Sequence, residues 1–562
     1  MNFYKFIIAR LNGRDMEKDF DYYLRLVKKG IAGFIVFGGE LNTVRQGISE
    51  LQKAADGCLI IASDLEQGLG QQLEGGTIFP PAMAIASAIT PHLPPLDKGG
   101  IRGGEVSSNK LKLLKKIFKA VAVEARYAGI NTIFAPVLDI NTNPKNPIIS
   151  TRAFGESSEN VSFFGCEMIK TFQSYGITAC GKHFPGHGDT ETDSHIKLPK
   201  IKKDLKALSK TELAPFRNAV KAGVRMIMMG HLNAPALDPS GVPVSLSQKA
   251  VSYLRNKLGF KGIIITDAMN MGGIGRYSEE KASLMALNAG VDILLHPTDP
   301  DKVVGYLRGK DVRCKMQDAR VIKKFISRTT QFVIPACRES LCKKDPGQAG
   351  MTYGELSCGF TNDRISKKAK AQFLIPDFSE NKKLSEKITK MAIKIDGQLK
   401  PLRNPLLIIL SDDANEKGMT FYAELKSRYR SLKYLHFRQG EDLKVDSVLM
   451  DRELIVAVFS SIRAWKGGAS PWLLKSIKRL ERRADVIISF GSPYLIDRIG
   501  DCPRFTDRAE QSPRTCHCEQ SEAISTSIRG RLRIGTVPAV KIYAYWDSEA
   551  AQKAVAEVIM QG

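Results

Sequence analysis

Short apolar runs rich in β-branched and aromatic residues recur along the first part of the chain. They are Tyr4–Ala9, Gly33–Gly38, Leu59–Asp64, Thr132–Ile140, Thr178–His183, Met226–Gly230, Ile263–Asp267 and Asp292–His296. Between them lie longer stretches with helical spacing, such as Met16–Lys29, Asn42–Ala55, Ser158–Tyr175, Leu205–Ala222, Gln248–Leu258 and Glu279–Asn288. Strand–helix alternation predicts a parallel sheet. Eight repeats in roughly three hundred residues predict a closed (β/α)8 barrel, a TIM barrel, rather than an open sheet. The polar residues agree with this reading. Asp64, Asp139, Lys182, His183, His231, Asp267 and His296 all fall at or just past the C-terminal ends of the proposed strands, the face on which such barrels carry their chemistry.

Beyond about residue 365 the pattern changes. Leu406–Leu410, Leu454–Phe459, Val486–Phe490 and Val540–Tyr545 read as strands, and Leu473–Arg483 and Glu549–Met560 as helices. The expected organisation is a catalytic barrel over 1–330, a linker or insert over 331–364, and a smaller α/β sandwich domain over 365–562. Segments 90–104 and 502–531 have no apolar period and are expected to be disordered inserts. Ser461–Gly468, the most polar cluster of the second domain, is read as a structural turn.

Charge narrows the partners. The chain has 83 Lys+Arg against 59 Asp+Glu, a net charge of +24. The excess is spread, and runs such as Lys110 to Lys116 have the spacing of a solvated helix face, so no nucleic acid is expected. The ten Cys are scattered rather than framed for disulfides, which suits a reducing compartment. Cys516-His517-Cys518 lacks a second ligand pair at zinc spacing. The apolar run at the N-terminus is too short for a signal peptide, and no segment is long enough to span a membrane. These features together predict a cytoplasmic protein with no metal and no cofactor.

Titratable groups are densest in Lys182-His183-Phe184-Pro185-Gly186-His187-Gly188-Asp189-Thr190-Glu191-Thr192-Asp193-Ser194-His195, which holds three of the eight His. Gly and Pro let this backbone turn tightly, as a site requires. The segment resembles the signature of family 3 glycoside hydrolases, in their β-N-acetylglucosaminidase branch. Asn131–Asp139, Thr151-Arg152-Ala153-Phe154-Gly155 and Ile265-Thr266-Asp267-Ala268-Met269 resemble further motifs of that family. So do Arg463-Ala464-Trp465-Lys466-Gly467 and Ser489–Tyr494 in the second domain.

The resemblance implies a retaining hydrolase acting on a carbohydrate and releasing terminal N-acetylglucosamine, from muropeptides or chito-oligosaccharides. It implies Asp267 as nucleophile, His195 as acid/base and Asp193 as the charge partner of His195. Asp64, Arg152, Lys182 and His183 are implied to bind sugar hydroxyls. The chain departs from the family at one motif, Asp-x-Glu-Gly-Gly-x-x-x-Arg, which reads Asp64-Leu65-Glu66-Gln67-Gly68-Leu69-Gly70-Gln71-Gln72 here. Gln72 stands where an arginine normally contacts the sugar, so a charge-assisted donor is lost. Three other readings stay open. They are a β-glucosidase or xylosidase with two carboxylates, a catalytically impaired sugar-binding homologue, and a zinc hydrolase using His183, His187 and His195.

Overall fold

The computed structural model describes residues 1–90, 106–194, 196–312, 375–413, 416–443, 445, 452–460, 469–497 and 539–561. The proposed inserts at 90–104 and 502–531, the 331–364 linker, the Ser461–Gly468 cluster and His195 lie outside these residues, Thr90 apart. The chain divides into two compact units, one formed by Met1–Ala392 and the other by Ile393–Ser461 with Ala469–Gly562.

The first unit is a closed, all-parallel barrel of eight strands in sequence order. These are β1 (Ile7–Asn12), β2 (Gly33–Phe37), β3 (Ile60–Ser63), β4 (Thr132–Ile133), β5 (Thr178–Phe184), β6 (Met226–Met229), β7 (Ile263–Ala268) and β8 (Ile293–Leu295). β1 closes the barrel by pairing Ile7 with Leu294 and Ile8 with Leu295. The apolar runs located every barrel strand, with two adjustments. The first strand starts at Ile7 rather than Tyr4, because the Asn2 side chain accepts the Tyr4 N–H and caps a 3-10 turn over Phe3–Phe6. The fourth strand is only Thr132–Ile133, and past it the pairing with β5 is irregular: the Pro136 carbonyl accepts the Lys182 N–H at 3.1 Å and an isolated bridge joins Val137 to Lys182. The stretch Leu205–Ala222 is two helices, Leu205–Lys210 and Leu213–Lys221. Pro215 can donate no backbone hydrogen bond, so it is tolerated only in the first turn of a new helix.

Helix Phe378–Ala392, which the sequence places with the second domain, groups with the barrel. Its apolar face (Ile388, Ala392) is buried, Ser385 donates to the Ile78 carbonyl at 2.6 Å, and Asn381 donates to Glu124 at 2.7 Å.

The second unit is a six-stranded sheet containing β9 (Lys394–Asp396), β10 (Leu406–Ser411), β11 (Lys433–Arg438), β12 (Leu454–Ser460), β13 (Val486–Gly491) and β14 (Val540–Tyr543). The order is β11-β10-β12-β13-β14-β9, with only β9 antiparallel. Every residue of β10 and β12 is buried, as expected of parallel strands covered on both faces. The edge strands β9 and β11 escape apolar-run reading because they carry polar, half-exposed residues.

Candidate active site

Register decides which side chains share the barrel interior. Ala62 pairs with Thr132, Thr132 with Thr178, Cys180 with Met226, and Met226 with Ile263. Parallel partners face the same way and alternate residues share a face. Moving toward the C-terminal ends along β3, β5 and β7, that face carries Asp64, Lys182 and Asp267. Three of the residues implied by the resemblance therefore meet at one mouth, and His183 is the next residue of β5, where the register with β6 shifts.

A charge network organises this mouth. The Lys182 ammonium is buried, 2.7 Å from Asp64 Oδ1 and 2.6 Å from Glu66 Oε1. Arg152, in the turn Ser150–Arg152, forks onto Glu66 with Nε–Oε2 at 2.9 Å and Nη2–Oε1 at 2.7 Å. Glu66 was not assigned a role in the sequence, yet it is the hub of this network. Burial opposes its ionisation most strongly, but Arg152 and Lys182 outweigh burial and hold its carboxyl far below the usual carboxylate range. Burial likewise opposes the charge on Lys182, and Asp64 and Glu66 overcome it, so Lys182 stays protonated. Asp64 keeps 29% of its side chain exposed and is the carboxylate open to a ligand. Gln72 donates to the Asp64 carbonyl at 3.4 Å and so remains at the edge of the site.

His183 is oriented by a second acid. Its Nδ1 lies 2.7 Å from Oδ2 of the fully buried Asp139, which also accepts the His187 N–H at 2.7 Å. Burial opposes ionisation of Asp139, but His183 and its hydrogen bonds keep the carboxyl below its ordinary range. With Nδ1 occupied, Nε2 is the nitrogen His183 can offer a sugar hydroxyl. The sequence showed Asp139 at a strand end without indicating this pairing, which joins residues 44 positions apart.

His187 is held differently. The Thr190 hydroxyl donates to the His187 carbonyl at 2.9 Å, so it accepts from Nδ1–H at 2.7 Å. Burial pushes the ring down to about 4, against the pull of Asp139, and it is neutral at working pH. The loop from Pro185 to Ser194 is stitched to the preceding loop. Asn146 donates to the carbonyls of His187 and Thr190 at 2.9 Å each, and Thr142 donates to Asp189 at 3.1 Å. Gly188 is required there, because a Cβ would lie 1.8 Å from the Ile140 carbonyl oxygen. Asp193 is buried in this loop, and its carbonyl accepts the N–H groups of Ile196 and Lys197.

Asp267, near the end of β7, is nine-tenths buried, and its Oδ1 accepts the Ala268 N–H at 2.9 Å. His231 supports it from the loop after β6. His231 donates from Nε2 to the Ala268 carbonyl at 3.0 Å and bonds Ser245 through Nδ1 at 2.7 Å. His231 is therefore a brace, not a ligand-facing group.

The family model for the glycosyl hydrolase family 3 N terminal domain matches residues 17–325. The chain is 34% identical over 290 residues to beta-hexosaminidase A of Pseudoalteromonas piscicida, covering 48% of this chain and 46% of that protein, so it spans about half that relative's length. It is 31% identical over 284 residues to a beta-hexosaminidase of Neisseria meningitidis serogroup C (strain 053442), covering 50% of this chain and 74% of that one. Its fold is similar to that of a family 3 β-N-acetylglucosaminidase from Paenibacillus sp. str. FPU-7, with a TM-score of 0.72 at 24% identity over 100% of this chain and 96% of that one. A match over more than half of the 562 residues, running through every strand of the barrel but β1, leaves one conclusion: the chain belongs to glycosyl hydrolase family 3.

Proposed function

We propose that this protein is a retaining β-N-acetylglucosaminidase that removes terminal N-acetylglucosamine through a covalent glycosyl-enzyme. The observation that carries the reading is the placement of Asp267, Asp64 and Lys182 on one inward face of the barrel mouth, within a chain whose relatives are named beta-hexosaminidases. Asp267 attacks the anomeric carbon, and its short link to the Ala268 N–H fixes the angle of attack. Asp64 accepts from sugar hydroxyls, and Lys182 and His183 supply further polar contacts. His195 protonates the departing oxygen and then deprotonates water, with Asp193 stabilising the imidazolium. Muropeptides from cell-wall turnover, or chito-oligosaccharides, are the substrates, and the cytoplasm is the place of action.

Initial rates on aryl β-N-acetylglucosaminide, β-glucoside and β-xyloside test the sugar. The N-acetylglucosaminide should be cleaved fastest, and preference for either other glycoside would replace this reading with that of a β-glucosidase or xylosidase. The acid/base is tested by leaving-group dependence. His195→Ala should spare a nitrophenyl glycoside, which needs little protonation, and slow a natural disaccharide by roughly 100-fold or more. Equal, small losses on both substrates would mean that a carboxylate elsewhere is the acid.

Gln72 offers a gain-of-function check. Gln72→Arg restores a charged donor at the rim of Asp64 and should lower KM for the aryl N-acetylglucosaminide about five- to tenfold, with kcat little changed. An unchanged KM would show that this position does not reach the sugar.

A further inference from the structure

The register that gathers Asp64, Lys182 and Asp267 also brings in Arg10. Arg10 pairs with Ile35, and Ile35 with Ala62, so Arg10 shares the inward face two residues before Asp64 on β3. Its chain neighbours Ala9 and Leu11, on the outer face, are buried, but Arg10 is exposed. An inward side chain of a closed barrel reaches solvent only through an open end. Two contacts identify that end as the catalytic mouth. The guanidinium carbon lies 5.0 Å from the ring centroid of Phe37, the last residue of β2. Phe37 in turn lies 5.9 Å from the ring of His296, which follows β8.

Arg10 makes no ion pair and no side-chain hydrogen bond among the described residues. Stacking on an aromatic ring orders a guanidinium while leaving its N–H edge open. Other cations of the site are committed, Lys182 to Asp64 and Glu66, and Arg152 to Glu66. Burial, with Arg10 beside it, pushes His296 down to about 4, so that ring is neutral and adds no second charge.

We infer that Arg10 is a sugar-binding residue of this site, donating charge-assisted hydrogen bonds to a hydroxyl oxygen of the terminal sugar while the Asp64 carboxylate accepts from its hydroxyls. This rests on the glycosidase reading above. A free fork of donors beside an open carboxylate is the arrangement that grips adjacent hydroxyls.

The test uses Arg10→Met, which keeps the packing over Phe37 without the charge, and Arg10→Lys, which keeps the charge without the fork. Each is assayed on whichever of the three aryl glycosides the wild-type protein cleaves fastest, with the free monosaccharide as competitive inhibitor. Arg10→Met should raise both KM and the monosaccharide inhibition constant by roughly 10- to 100-fold, with kcat changed by less than about threefold. Arg10→Lys should recover part of the loss, and melting temperatures should stay near wild type. An inhibition constant within about twofold of wild type would overturn the assignment, even if KM rose, because Arg10 would then contact the aglycone. If the preferred substrate proves to be a glucoside or xyloside, the N-acetylglucosaminidase reading falls and the inhibition constant still decides the role of Arg10. If no glycoside is cleaved and calorimetry detects no monosaccharide binding, both fall.

Discussion

Replacing Asp267 with Asn should reduce kcat on the order of 10⁴-fold while leaving the fold intact. A neutral amide is a poor nucleophile for the anomeric carbon, and losing the group that forms the covalent bond removes a contribution made almost wholly in the transition state. Asn is nearly isosteric with Asp. Its carbonyl oxygen can still accept the Ala268 N–H that Asp267 Oδ1 accepts at 2.9 Å, so KM and melting temperature should change little. The brace from His231 to the Ala268 carbonyl does not involve the substituted group. Incubating the wild-type protein with a 2-fluoro sugar, followed by peptide mapping, gives the chemical half of the test. The label should sit on Asp267 and be absent from the variant. A label on another carboxylate, Asp64 or Glu66 for example, would remove Asp267 from the role.

Removing Glu66 should be the most damaging change to stability in the site. Glu66→Ala leaves the half-buried Arg152 without its carboxylate and the buried Lys182 with Asp64 alone. Breaking a buried pair by removing one partner costs about 3–5 kcal/mol, because the remaining charge stays desolvated. Urea unfolding of the barrel unit should show its midpoint fall accordingly, and Glu66→Gln should recover shape but not charge. The pH dependence carries the same signature. Glu66 is held below its unfolded value of about 4.3, so its contribution is fully present above that pH. It is lost as pH falls toward the folded value, where the unfolded chain binds more protons than the native one. Glu66→Gln should therefore be less sensitive to acid than wild type below about pH 4.3. Superposable unfolding curves for Glu66→Ala and wild type would show that the network contributes nothing to stability.

How much of this was legible without coordinates depends on the residue. The eight-stranded barrel was readable because buried parallel strands are nearly continuous apolar runs, and the amphipathic stretches between them report their helices through spacing alone. Asp64, Lys182, His183 and Asp267 were readable as a group because each ends such a run. Arg10 was not, for a simple reason. The first run reads as ending at Ala9, and only the 3-10 turn at Phe3–Phe6 moves the strand on to Ile7–Asn12 and places Arg10 within it.

The local order of residues thus determined which elements exist, their type and their succession, since hydrophobic period and turn chemistry act over a few neighbours. It also showed that polar groups gather at one end of the barrel. What it could not determine is pairing across the barrel. Glu66 meets Arg152 across 86 positions and Asp139 meets His183 across 44, and nothing near any of the four predicts its partner. Those choices were made by tertiary structure. The closing register brings distant strand ends together, and burial makes an unpaired charge so costly that Glu66, Lys182 and Asp139 are each held against an opposite partner there.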